Sequence, residues 1–423
     1  MRRRLSRSVI VAALSIGLLN VAAVAASSEP EVANAPVAIS PDLVNENVLF
    51  AFDHPPIVAR AKALIDASTP GSKIDLPLYY FNQQTIIDSL KLAKERGVDI
   101  RVLLDGHMRG QWQHTALRAF LGADKSQPSY VAVCGNRVAD GDSFVASRGC
   151  IGTRQFGGDN DPSYALNHNK FITLSGVLLT NGTVATNVTY ISSANLDTYD
   201  AYQSALTVTD PKVHLYYSFY FADLEFHQSS TGDDAYNRRW GAAADPYQLF
   251  AFPFHETGAD SPYDGTNDPI ANILRTEACT AGGSIKVANY RIQRAAVVTQ
   301  LIAAAKRGCV VQAVFGQSGD NPETPDDETF AALKDLAAPD SGIIVRQCGS
   351  AAAYGGIPMH EKFLTIRKDA STAPQLLVGS ANLTYKGLRQ SDENVLRVRD
   401  ADIIAKYTAR ADDFYRLCKV WTP

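Results

Sequence analysis

Two short strings, His168-Asn169-Lys170 and His360-Glu361-Lys362, constrain this chain more than any bulk property does. Each is followed by an apolar stretch and then by a small-residue turn ending in Asn, Ser193-Ala194-Asn195 and Ser380-Ala381-Asn382. In a β-strand, residues i and i+2 share a face, so His168 projects with Lys170 and His360 with Lys362. The same spacing joins Ser193 to Asn195, and Ser380 to Asn382, where those turns are extended. One set makes half an anion site. Two sets facing each other across a pseudo-two-fold make a whole one.

The rest of the chain is written twice as well. Leu49-Phe50-Ala51-Phe52 recurs as Leu249-Phe250-Ala251-Phe252. Helical patterns follow at Ile57–Ala67 and Ile270–Glu277, then β-type runs at Ile74–Phe81 and Ile285–Ile292. Next come amphipathic helices that stop at Arg96-Gly97 and Arg307-Gly308, a basic last turn before glycine. Strands are expected at Val98–Leu104 and Val310–Phe315, helices at Thr115–Leu121 and Glu328–Leu336, and strands at Tyr130–Val133 and Ile343–Arg346. Beyond the Asn turns, Gln203 aligns with Glu393 and Asp210 with Asp400, with closing helices near Val213–Phe226 and Ile403–Cys418. Alternating strands and helices imply right-handed crossovers and mostly parallel, mixed sheets in an α/β fold. The expected division is a signal peptide at 1–25, a first repeat at 26–227, a linker at 228–248 and a second repeat at 249–423.

Arg2, Arg3, Arg4 and Arg7 precede an apolar run from Val9 to Val24, and Ala23-Val24-Ala25 offers a small-residue cleavage site. That is the pattern of a cleaved export signal, and the paired arginines also admit the twin-arginine route. Losing those four arginines moves the formal charge from −4 to −8. A chain that acidic is a poor generic binder of nucleic acid. Six cysteines in an exported chain read as disulfides. Cys134 and Cys150 bracket a Gly-rich loop, Cys279 and Cys309 fall near the starts of neighbouring strands, and Cys348 is left with Cys418. Sequence alone does not choose among the pairings.

Lys170 and Lys362 supply point charges for phosphate oxygens, and Ser193, Asn195, Ser380 and Asn382 supply neutral donors. Two imidazoles can divide nucleophilic attack and proton transfer, with lysines in place of a metal. No cofactor and no metal are expected. The remaining histidines, His107 among them, have no paired context and read as ordinary. Trp112 and Tyr79-Tyr80-Phe81 lie at or just past strand ends, where α/β sheets place ligands.

The doubled His-x-Lys pattern, each copy with its Ser-x-Asn turn, resembles the phospholipase D superfamily. So do the phrases Lys94 to Gly106 and Gly379 to Thr384, and the resemblance spans roughly residues 45 to 420. It implies two pseudo-symmetric phospholipase D-like α/β/α lobes sharing one active site, with a phosphohistidine intermediate and no metal. By resemblance His168 is the nucleophile and His360 the proton donor. A carboxylate after each Asn turn orients a histidine in that family; Glu393 fits this for His360, while Gln203 stands at the aligned place in the first repeat. Ser175 and Arg367 replace the Asp usual after each His-x-Lys, and Ser192 stands where Gly is usual. The expected activity is phospholipid headgroup hydrolysis or transfer by a secreted monomer that touches membrane surfaces transiently. A secreted nuclease, a glycerophosphate-polymer hydrolase and a non-catalytic phosphate binder are the alternatives, nucleic acid ranking below lipid.

Overall fold

The computed structural model describes residues 34–135, 149–154, 165–229, 232–257, 265–316, 327–349, 356 and 358–423. The expected signal peptide at 1–25 lies outside the described residues. Pro36–Pro423 form one compact unit; Met1–Ala35 count separately from it.

The first lobe contains β1 (Asn47–Ala51), β2 (Lys73–Leu78), β3 (Asp99–Leu104), β4 (Tyr130–Val133), β5 (Phe171–Leu174), a small hairpin of β6 (Val177–Leu178) and β7 (Val184–Ala185), β8 (Val188–Ser192) and β9 (Gln203–Thr209). Its helices are α1 (Pro55–Asp66), α2 (Gln84–Glu95), α3 (Trp112–Leu121) and α4 (Pro211–Gln228). The second lobe contains β10 (Arg238–Trp240), β11 (Tyr247–Ala251), β12 (Ser284–Asn289), β13 (Val310–Phe315), β14 (Ile344–Gln347), β15 (Lys362–Arg367), β16 (Gln375–Gly379), β17 (Asn394–Val398) and β18 (Lys419–Val420). Its helices are α5 (Pro269–Thr276), α6 (Ala295–Lys306), α7 (Asp327–Leu336), α8 (Tyr385–Arg389) and α9 (Ala401–Leu417).

The seven-stranded sheet runs β1-β9-β8-β5-β2-β3-β4. The nine-stranded sheet repeats that order as β11-β17-β16-β15-β12-β13-β14, with β10 and β18 added at its edges. The two-lobed, mixed α/β architecture is the expected one. The parallel share is smaller than expected: among the described strands, β2-β3-β4 and β12-β13-β14 pair in parallel, and the neighbouring pairs are antiparallel. The reason lies in the connections. Helices α2, α3, α6 and α7 supply the long crossovers that parallel pairing needs, whereas β5, β8 and β9, like β15, β16 and β17, follow one another with no long crossover helix between them and so turn back on themselves. The segment expected to be a plain linker also holds a strand, β10, which pairs with β11.

Apolar packing follows the layers. One core gathers α1, α2 and α3 on the outer face of the first sheet, and another gathers α5, α6 and α7 on the outer face of the second. The third core lies between the lobes, where Tyr217, Tyr220 and Phe221 of α4 and Tyr407 and Phe414 of α9 meet Phe171, Leu249, Phe363 and Leu396 from the strands. Asp210 and Asp400, aligned in the sequence, are the N-caps of α4 and α9, accepting from Val213 N at 2.9 Å and Ile403 N at 2.8 Å. Three disulfides join Cys134 to Cys150, Cys279 to Cys309 and Cys348 to Cys418. Ser175, at the family's Asp place, accepts the Lys73 N–H at 2.8 Å and fastens the end of β5 to the start of β2.

Candidate active site

Each lobe builds one half of the site in the same way. The Tyr79 N–H donates to the Asn169 carbonyl at 3.1 Å, and the Tyr290 N–H to the Glu361 carbonyl at 2.9 Å. These bonds lay a tyrosine ring against each His-x-Lys string. Tyr79 and His168 have ring centroids 5.0 Å apart, Tyr290 and His360 4.9 Å. Lys170 Nζ sits 5.3 Å from the Tyr79 ring centre and donates to the His168 carbonyl at 2.8 Å. Lys362 Nζ sits 5.4 Å from the Tyr290 ring centre and donates to the His360 carbonyl at 2.7 Å. Both lysines are buried, so their charges work in a low-dielectric setting.

The halves are wired across the lobe boundary. The His168 N–H donates to the Asp392 carbonyl at 3.0 Å, and the His360 N–H to the Tyr202 carbonyl at 2.9 Å. Each histidine is therefore registered by the other lobe's residue just before Glu393 or Gln203. In consequence Glu393 Oε1 meets His168 Nδ1 at 2.7 Å, while Gln203 Oε1 meets His360 Nδ1 at 3.3 Å. This corrects the expectation that Glu393 backs the histidine of its own repeat. The interlobe backbone bonds carry β9 and β17 past the opposite His-x-Lys string, so the orienting groups are exchanged.

The charges act as one cluster. Burial, then Lys170, Lys362 and His360, hold the His168 imidazole well below its usual range. Burial, Lys362 and Lys170 do the same to His360. Lys170 is pushed down to about 8 by burial, against the pull of Glu393, and Lys362 is lowered by burial and by Lys170. Burial pushes Glu393 up to about 8, while Lys170, a hydrogen bond from Ser380 and Lys362 oppose the shift. An anion placed between the two lysines relieves the repulsion that both imidazoles feel.

The serines stand elsewhere than expected. Ser380 Oγ donates to Glu393 Oε2 at 2.5 Å, and Ser193 Oγ accepts the Ser204 N–H at 3.0 Å. Both are buried, so they support the orienting groups rather than face a ligand. Asn195 and Asn382 can serve a phosphate only through their side-chain N–H groups, while their buried side-chain carbonyl oxygens, which have no protein partner, are acceptors. Tyr290 was not singled out from the sequence, although the repeat alignment sets it opposite Tyr79. Arg291 adds to the repulsion on His360, and Lys386 to that on His168. His107, read as ordinary, lies 4.8 Å from the Tyr79 ring.

Two histidines, two lysines and a cross-lobe carboxylate at the meeting point of duplicated α/β lobes define a class of protein built around a phosphodiester group. The family model described as "Cardiolipin synthase, PLD-like domain" matches residues 62–224 and 274–415, and the chain belongs to this phospholipase D-like family. No curated protein sequence matches the chain. Among solved structures it is similar to phosphatidylserine synthase from Haemophilus influenzae Rd KW20, with a TM-score of 0.57, 13% identity, and coverage of 92% of this chain and 90% of that one. It is also similar to polyphosphate kinase from Porphyromonas gingivalis, with a TM-score of 0.55 and 12% identity over 88% of this chain. The chain spans 50% of that kinase's length. At these identities the likeness is one of fold.

Proposed function

We propose that the protein is an exported, metal-independent phosphodiesterase that removes or exchanges phospholipid headgroups through a phosphohistidine. The observation that carries the mechanism is the unequal backing of the two histidines. With Nδ1 of His168 occupied by Glu393, Nε2 is the nitrogen that attacks phosphorus, and the bond from phosphorus to the headgroup oxygen breaks. The imidazole becomes cationic as the P–N bond forms, and Glu393, which burial keeps protonated up to about pH 8 and which must be ionised in the reactive form, stabilises it. Gln203 is neutral and gives His360 no such support, so His360 gives up its proton to the leaving oxygen. It then takes a proton from water, which attacks phosphorus and releases His168. Lys170 and Lys362, with the amides of Asn195 and Asn382, hold the phosphoryl oxygens and stabilise the added negative charge of the transition state.

Lipid as substrate is supported by the descriptions of the matching family model and of the similar synthase, and by the acidic balance of the chain. Export is supported by the N-terminal pattern and by three disulfides. The test incubates the mature protein with mixed phospholipid vesicles, ethanol and EDTA, and reads the products by mass spectrometry. Phosphatidic acid and phosphatidylethanol forming together is the expected result, since water and alcohol compete for one covalent intermediate. Neither product, beside cleavage of nucleic acid or glycerophosphate polymer, overturns the lipid assignment.

A further inference from the structure

Asp105 follows β3 and caps the single turn Gly106–Met108, accepting the His107 backbone N–H at 3.0 Å. The same oxygen, Oδ1, meets His107 Nδ1 at 2.6 Å, and Oδ2 accepts the Asn167 N–H at 2.6 Å. Asn167 immediately precedes His168, so one fully buried carboxyl ties a third histidine to the backbone of the attacking one. A carboxyl that takes N–H bonds on both oxygens is an acceptor, so His107 turns Nδ1 toward it, and Nε2 is the ring nitrogen left for another partner. Nδ1 faces the fully buried Asp105, and 30% of the His107 side chain reaches solvent. Its ring stacks on Tyr80 at 5.7 Å and shares Tyr79 with His168.

Among the described residues the second lobe has no such pair. The strand registers place Gly316 where Asp105 stands. A Cβ at Gly316 would lie 2.1 Å from the carbonyl oxygen of Met359, the residue before His360. The repeat thus folds without the pair, which belongs to the His168 side of the cleft alone. A fixture required by the scaffold would be present in both lobes.

We propose that His107 is a substrate-contacting residue whose Nε2 hydrogen-bonds a hydroxyl on the group that stays on phosphorus. The inference rests on the phosphodiesterase reading, in which His168 attacks and the leaving oxygen departs toward His360; the His107 side is then open to the retained group. The test compares the glyceryl and propyl esters of p-nitrophenyl phosphate, in which p-nitrophenolate is the better leaving group and the glyceryl or propyl group is retained. Wild-type kcat/KM should favour the glyceryl ester by about five- to ten-fold, the yield of one hydrogen bond to a neutral partner. In His107→Ala that preference should collapse toward one, and His107→Gln should recover part of it. A preference unchanged in His107→Ala, an equal loss on both esters, or no preference in the wild type overturns the proposal. The phosphodiesterase reading is judged separately: it stands if the wild type cleaves both esters and His168→Ala cleaves neither, and it falls, taking this proposal with it, if the wild type cleaves neither.

Discussion

His168 and His360 are chemically alike but differently backed, and that difference sets what each can do. Glu393 lies 2.7 Å from one and Gln203 3.3 Å from the other. If His360 donates the proton, His360→Ala should slow the leaving-group step by about 10²–10⁴-fold on a substrate with an alkoxide leaving group, and far less in the first-turnover burst from a p-nitrophenyl ester, whose leaving group needs no proton. His168→Ala should lose both substrates alike. The reverse pattern would exchange the two roles. Glu393 also makes a stability prediction. Its carboxyl is pushed from an ordinary 4.5 up to about 8, chiefly by burial. Between those values the folded protein holds a proton that the unfolded chain has released, so the stability it lends is full below 4.5 and is lost as pH rises through about 8. Glu393→Gln has no such loss; its Tm relative to wild type should rise between about pH 5 and pH 9. A difference flat with pH contradicts the shift. The types of residue at the site were readable from spacing, because a strand puts i and i+2 on one face. Their cross-lobe partners were not, because no local rule says which strand passes which histidine.

At the level of elements, the sequence reading held wherever a local signal existed. Arg96-Gly97 and Arg307-Gly308 mark the ends of α2 and α6, and Asp210 and Asp400 mark the starts of α4 and α9. The pairing of Cys279 with Cys309, one of those left open by the sequence and suggested by their places near the starts of neighbouring strands, is present. What failed was the extension of the strand–helix rhythm into β5, β8 and β9, where nothing local distinguishes a return strand from a crossover. The segment Gly149–Gly152 is a second feature visible only in three dimensions. Asp392 accepts N–H bonds from Cys150 at 2.5 Å and from Gly152 at 2.8 Å, and burial pushes its carboxyl up to about 7 against them. A Cβ at Gly152 would lie 1.7 Å from the Gln390 carbonyl oxygen. Gly152→Ala should therefore cost about 2–3 kcal/mol of stability, read as a lower denaturant midpoint. Activity should fall with it, since Asp392 adjoins Glu393. A midpoint unchanged from wild type would mean that this approach is not close.

As a whole molecule, the protein is two copies of one plan that share a core and a site. Tyr217 and Tyr220 from one lobe and Tyr407 and Phe414 from the other fill the space between the sheets. The same packing brings Lys170 within the field of Lys362. In the proposed mechanism two lysines and two imidazoles do what a metal ion does elsewhere, so turnover should be unchanged in EDTA; loss restored by added Zn²⁺ or Ca²⁺ would contradict this. The central claim is that His168, backed by Glu393 from the opposite lobe, carries the phosphoryl group. The direct measurement is mass spectrometry of peptides from protein quenched under alkaline conditions during turnover, in wild type and in His360→Ala. An adduct on the peptide containing His168 is expected, accumulating in His360→Ala because release is slowed. An adduct on His360, or turnover with no histidine adduct at all, would contradict it.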